Sequence, residues 1–339
     1  MAYDLFIALS SRALLTYQNN FFKQRSRKKI LISYDNKLLD TSKWDIVVSL
    51  GKPIFNKASS TIGSFVSVFK TVLAYKKALV SVKKIINTHN LSVYYPTLED
   101  VLCNYLFFYF KNADSFFVVE EGTLNYYHHS TANLSFKRKI VKKLIALSVG
   151  LNYNPFYKGH TTGIDYDKVK NSYVIEPKLA YKSIKAKKIK LTDEKSPKLE
   201  PSALIIGQEP YKALLGESQY NKIMDTFFKN INIQLESSLV KKIFYKSHRY
   251  GPRIEKKILV DYFKNYEVNY IDSEESIEIM YFNSIKAQYI FTLDSSALLS
   301  IYFSCSETTK KQLKLFSFSV NPKTRTLFRS ISKDLNDDF

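Results

Sequence analysis

Cysteine is almost missing from this chain. There are two in 339 residues, Cys103 and Cys305, and each sits in an apolar run (DVLCNYLFF and IYFSCS). That excludes a disulfide-stapled scaffold and predicts two buried thiols acting as small hydrophobes in a reducing, cytoplasmic compartment. Glycine is also scarce, at nine residues. None falls in a GxxxxGK[ST] loop, a complete GxGxxG or a GxSxG elbow, which disfavours nucleoside triphosphatases, classical dehydrogenases and α/β-hydrolases. No stretch reaches the roughly 18 apolar residues of a spanning helix, so membrane association would have to be peripheral. The start, MAYDLFIALSS, has Asp4 and no basic residue ahead of its apolar stretch, and reads as a short strand rather than a leader. No repeat of about 20–50 residues occurs, which disfavours a solenoid.

What the chain has instead is positive charge and aromatic rings. Lys and Arg outnumber Asp and Glu by 51 to 31, a formal net charge of +20, and there are 25 Tyr and 24 Phe. Such a surplus suits nucleic acid, a phosphorylated ligand or an acidic membrane surface. Most of the rings lie in apolar runs such as YLFFYF, as in a packed core, and no nucleic-acid-binding module is present, so nucleic acid is not expected as a partner. Much of the charge falls in three stretches, 23–29, 137–143 and 178–198.

The length suits two domains. Short β-rich runs alternate with helix-like ones: LFIAL (5–9) and then ALLTYQNNFFKQ, KILISYD (29–35), DIVVSLG (45–51), a helical period from Ile62 to Ile86, a strand near 91–95, a helix from Leu98 capped by Thr97, and SFFVVEEG (115–122). From 176 to 201 three prolines and many lysines interrupt the pattern, as in a linker. Alternation resumes with SALIIGQ (202–208), YNKIMDTFFKNI, KKIFYKSH (241–248), VNYID (268–272) and AQYIFTLDSS (287–296), and the end, SISKDLNDDF, reads as a frayed tail or short helix. The pattern predicts two Rossmann-like α/β domains, 1–176 and 202–339, facing a central cleft and joined by a basic linker, 177–201. Ligands then belong outside the carboxyl ends of the strands.

Four strand ends carry chemistry. Glu120-Glu121-Gly122 could supply a general base, with Gly122 easing a tight turn, or could simply cap the next helix. Lys246-Ser247-His248 would point Lys246 and His248 to one side of an extended segment, a cationic pair for phosphate or carboxylate, or a solvated basic loop. Asp294-Ser295-Ser296 opens a helix and offers hydroxyls and N–H groups either to an anion or to the helix itself. Gly207-Gln208 suits the close approach of a ligand or a plain turn. Asp165-Tyr166-Asp167 has the spacing of a metal-binding pair but follows no apolar strand and reads as a solvated turn, and His128-His129 lack a second ligand cluster.

Taken in order, the acidic-acidic-Gly turn, the Lys-x-His after a strand and the later Ser-Ser turn resemble the bacterial sialyltransferases of lipooligosaccharide and capsule and the related polysialyltransferases. The resemblance implies a GT-B type fold with an acceptor domain first and a CMP-sugar domain second. It implies inverting, metal-independent transfer of sialic acid from CMP-sialic acid to a glycan hydroxyl, with no cofactor. In that pattern Glu120 is the base and Glu121 and Gly122 support it. His248 binds and protonates the donor phosphate, with Lys246 beside it, Ser295 and Ser296 hydrogen-bond that phosphate, and Gly207, Gln208 and Glu278 meet the nucleotide. Ser10, Ser11 and Arg12 are candidates for the acceptor by position. Where the family has proline after its histidine, this chain has Arg249, with Pro252 four residues beyond His248. A CMP-Kdo or UDP-hexose donor, or a non-enzymatic basic protein binding nucleic acid or membrane, are the alternatives. The basic stretches suit the anionic inner face of a bacterial membrane and a lipid-linked or free glycan acceptor.

Overall fold

A computed structural model describes residues 2–22, 27–52, 61–86, 90–130, 135–192, 196–248, 253–273 and 275–336. The described residues divide into two units: 2–52 and 64–191 in the first, and 192–336 in the second together with 61–63, the first residues of a helix that otherwise belongs to the first.

The first unit contains β1 (Ala2–Ala8), α1 (Ser11–Asn20), β2 (Lys28–Ser33), β3 (Ile46–Ser49), α2 (Thr61–Ile86), β4 (Asn90–Tyr95), α3 (Val101–Tyr109), β5 (Ala113–Val119), α4 (Phe136–Ser148), β6 (Val169–Val174) and β7 (Ala186–Lys188). Its strands form one parallel sheet in the order β3-β2-β1-β4-β5-β6-β7. Alternation along each strand sends side chains to both faces, and both are covered. On one face Leu5, Ile7, Ile30, Ile32, Val93 and Val118 pack with Val72, Leu79, Leu102, Ile145 and Ala146 of α2, α3 and α4. Each such buried aliphatic contributes about 1.5–3 kcal/mol. The opposite face carries a row of rings: Phe6 stacks on Tyr94 at 4.4 Å and Tyr94 on Phe117 at 4.7 Å, while Phe21, just past α1, meets Tyr173 edge-on at 4.8 Å.

Three expectations change in the structure. The cap of α3 is Asp100, whose carboxylate accepts the N–H groups of Leu102 and Cys103 (2.9 and 3.2 Å). Thr97 instead caps the turn ahead of it, its hydroxyl accepting the Glu99 N–H (3.2 Å) and donating to the carbonyl of Thr161 (3.3 Å). The stretch read as a linker divides at 191, because Ser172 to Val174 pair with Ala186 to Lys188 and draw β7 into the first sheet. The tail is anchored: β13 (Lys333–Asp334) pairs with β12 (Lys314–Ser317), and Leu335 is fully buried.

Ahead of those last strands, the second unit contains β8 (Glu200–Ile206), α5 (Pro210–Leu215), α6 (Glu217–Glu236), β9 (Lys242–Lys246), α7 (Lys256–Tyr262), β10 (Glu267–Ile271), α8 (Ile277–Met280), β11 (Ala287–Thr292), α9 (Ser296–Ser304) and α10 (Glu307–Gln312), and α11 (Pro322–Arg329) lies between β12 and β13. The sheet is parallel, in the order β10-β9-β8-β11-β12-β13. Ala203, Ile205, Ile243, Tyr245 and Phe291 pack under Met224, Phe227, Phe228 and Ile231 of α6. Both cysteines are free and buried. Among the described residues no helix is long and apolar enough to cross a membrane.

Candidate active site

In the second unit the register places Ile271, Lys246, Ile206, Thr292 and Ser317 side by side. The residues that follow them therefore leave the sheet at one edge. Chain order runs outward from β8 to β10 and then returns to β11 beside β8, so the topological switch point lies between β8 and β11. Gly207 to Glu209 leave on one side of it and Leu293 to Ser296 on the other, with Ser247 and His248 one strand away.

Glu209, which sequence reasoning missed, organises this edge. It is fully buried, accepts the Tyr245 hydroxyl at 2.9 Å on one oxygen and accepts the His248 N–H at 2.7 Å on the other. Burial raises its carboxyl above the ordinary range, opposed by those hydrogen bonds and the positive charge of Arg253. The same close approach explains Gly207. A Cβ there would lie 2.5 Å from the Tyr245 oxygen and 2.9 Å from both Glu209 oxygens, so the glycine makes room for this acid. A carboxyl two residues beyond a strand-end glycine, just before Pro210, was the available signal.

Lys246 is buried, and its ammonium donates to the carbonyls of Ser247 (3.1 Å) and Ser273. β9 ends at Lys246, so the alternation expected to align Lys246 with His248 stops there. Ser295 is the N-cap of α9: its hydroxyl accepts the Ala297 N–H at 3.4 Å, and its own N–H donates to the Thr292 hydroxyl at 3.2 Å. Ser296 opens the helix, half-buried. Before them Asp294 takes a left-handed backbone (φ 52) and accepts from Val320 N–H (2.7 Å), Asn321 N–H (3.0 Å), the Tyr211 hydroxyl (3.1 Å) and the Thr324 hydroxyl (2.5 Å). It ties the turn after β11 to the turn that starts α11. Gln208 is half-buried, and its carbonyl accepts the Tyr211 N–H at 3.0 Å. Glu278 is buried in α8 and accepts the Ser276 hydroxyl. Arg249 and Pro252 lie outside the described residues, as does 23–26 of the first basic stretch.

In the first unit the switch point lies between β1 and β4, and Ser10, Ser11 and Arg12 follow β1. Ser10 caps α1, accepting the Ala13 N–H at 3.1 Å. Arg12, a candidate for the acceptor, is buried and forms an ion pair with Glu120, and it also donates to the Glu121 carbonyl at 3.3 Å. Glu120 is 1% exposed; besides Arg12 it accepts the Tyr126 hydroxyl (2.5 Å) and the Ile175 N–H (2.8 Å). Glu121 beside it is half-buried. Gly122 is extended (φ −178), a backbone open to any residue, and its carbonyl accepts the Asn125 N–H at 3.5 Å, so a turn begins there that does not depend on glycine. Asp165 accepts the His160 N–H at 2.7 Å, and no group of three metal-ligating side chains occurs among the described residues.

No protein-family model matches this chain, and no curated protein does. Solved structures do. The UDP-GlcNAc 2-epimerase of Neisseria meningitidis is 11% identical, with a TM-score of 0.53 over 99% of this chain and 89% of that one. The 2,6-sialyltransferase of Photobacterium sp. JT-ISH-224 is 14% identical, with a TM-score of 0.47 over 97% and 74%. The sialyltransferase of Photobacterium damselae is 11% identical, with a TM-score of 0.47 over 97% and 95%. Identities this low speak to fold alone; the likeness to the epimerase, together with the two parallel sheets, makes this chain an α/β protein of two Rossmann-like domains, the GT-B type of architecture.

Proposed function

We propose that this chain is an inverting, metal-independent glycosyltransferase that moves sialic acid from CMP-sialic acid to a hydroxyl of a bacterial surface glycan, capsule or lipooligosaccharide. The observation that carries the reading is the edge of the second sheet. Gly207 to Glu209 and Asp294 to Ser296 flank its switch point, with His248 one strand away. Backbone N–H groups, hydroxyls and an imidazole suit a nucleoside monophosphate, which needs no glycine-rich pyrophosphate loop.

Loss of CMP leaves an oxocarbenium-like centre, so charge builds on the departing phosphate. In this reading His248 binds that phosphate and protonates it, Ser295 and Ser296 donate to it, and Lys246 adds fixed positive charge from its buried position. Gly207, Gln208 and Glu278 meet the nucleoside. These donors neutralise a monophosphate without a metal or cofactor. Glu120 takes the proton of the acceptor hydroxyl, with Glu121 beside it. To do so it exchanges one of its donors for the substrate. The Tyr126 hydroxyl is the exchangeable one, because it is neutral and on a side chain, whereas the Ile175 N–H belongs to the backbone and Arg12 balances the charge.

Transfer from CMP-sialic acid to a glycan acceptor by the purified chain tests the reading. Glu120→Gln and His248→Ala should each lower it by about 100-fold or more. Near wild-type transfer by either variant would remove that residue from the mechanism. Thermal shift separates the donors: CMP should raise the melting temperature for CMP-sialic acid or CMP-Kdo, and UDP should do so for a UDP-hexose enzyme.

A further inference from the structure

Helix α4 is oriented against its own amphipathicity. Of its 13 residues, Ile145 and Ala146 join the core, while Phe136, Val141, Leu144 and Leu147 are 66%, 41%, 61% and 47% exposed. Two of its lysines turn the other way. Lys139 is buried, with its ammonium 5.6 Å from the centre of the Phe156 ring, and Lys142 donates to the carbonyl of Glu99 at 3.1 Å. At 3.6 residues per turn, the four exposed apolar residues and half-buried Ile140 occupy an arc of roughly 140°. Lys137 lies within that arc, and Arg138 and Lys143 lie at its margins. Phe156, 48% exposed and 5.8 Å from the Phe136 ring, extends the apolar surface. The helix has no acidic residue.

We propose that α4, extended by Phe156, is a docking surface for an anionic phospholipid bilayer, with the helix lying in the headgroup plane and its apolar arc toward the acyl chains. Charge complementarity selects this occupant. The marginal cations reach phosphates from beside an apolar arc, as interfacial helices do. A second copy of the chain seated on the same helix would bring lysines against lysines, and a nucleic acid would leave the apolar arc unused. The inference deepens the expectation of an anionic membrane partner for the 137–143 stretch and holds whatever sugar the site transfers.

Flotation of the full chain with phosphatidylcholine vesicles, pure or with about one third phosphatidylglycerol, tests it. The wild type should float with the anionic vesicles and stay behind with the neutral ones. Leu144→Glu with Leu147→Glu should weaken binding about tenfold or more, and Lys137→Ser with Arg138→Ser severalfold with a shallower salt dependence. An environment-sensitive dye on Leu144→Cys gives a second readout with a milder change, since both native cysteines are buried; its emission should shift to the blue on anionic vesicles. Failure of the wild type to float, variants that float as it does, or an unshifted dye would overturn the proposal. So would a wild-type dimer in sedimentation velocity that the double glutamate variant splits without any vesicle binding.

Discussion

At the edge of the first sheet a buried glutamate, Glu120, is balanced by a buried arginine, and a hydroxyl and one backbone N–H complete its shell. At the edge of the second sheet the buried acids Glu209 and Asp294 are held by hydroxyls and backbone N–H groups of neighbouring turns. The difference lies in how each acid is held. Both join separate turns, but at the first edge a cation supplies the counter-charge, whereas at the second the hydrogen bonds come from neutral donors. The second edge is thus set by hydrogen bonds from backbone N–H groups and hydroxyls to Glu209 and Asp294.

The strongest test removes the counter-charge. Arg12→Ala leaves Glu120 buried beside no cation and should cost about 3–5 kcal/mol in urea unfolding at neutral pH. Adding Glu120→Gln should recover much of that loss; no recovery would mean that the pair is not what stabilises the first edge. Asp294→Ala comes next, at roughly 2–4 kcal/mol, because two backbone N–H groups and two hydroxyls lose their acceptor. Asp294→Asn should cost less, since asparagine tolerates the left-handed backbone and keeps one acceptor oxygen. Equal losses for Ala and Asn would sink the view of Asp294 as a tie between turns.

Gly207→Ala should cost about 1–3 kcal/mol through its clash with Tyr245 and Glu209. In a Tyr245→Phe background the added cost should shrink, because the atom 2.5 Å away is gone; thermal unfolding of the four variants reads the coupling. The smallest effect concerns a half-buried cation in the first unit whose ammonium donates to the Phe107 carbonyl. Lys168 lies with its ammonium 3.6 Å from the centre of the Phe107 ring, and burial lowers it from 10.5 to about 8. Between those values the unfolded chain binds more protons than the folded one, so this residue makes stability rise with pH across that window. Lys168→Met should flatten the rise in melting temperature there, and an unchanged slope would show that the amine is not held in its desolvated state.

Much of this architecture was legible because parallel α/β folds announce themselves by order. LFIAL, KILISYD, SFFVV, SALII and AQYIFT are each short and apolar, and strands buried on both faces are composed that way. Less legible were elements whose partners are distant or whose residues are polar. Val169–Val174 and Ala186–Lys188 are strands because a neighbouring strand offers them hydrogen bonds, and Ala186-Lys187-Lys188 has little apolar pattern of its own. At the site, the strand-end residues Gly207, His248 and Ser295 were visible by position. Glu209 was less so, because Gly-Gln-Glu-Pro marks a carboxyl near the strand end but not that it folds back over the glycine.

The sequence by itself determined the alternation of strand and helix, and with it that the strand-end groups of each half leave one edge of one sheet, because parallel strands joined by helices all run the same way. Only the tertiary structure decided which of those groups are already occupied. Arg12 meets Glu120 across 108 positions, Tyr245 meets Glu209 across 36 and Asn321 meets Asp294 across 27. A lone pair is filled by whichever donor lies within about 3 Å, and that distance is set by packing rather than by spacing along the chain.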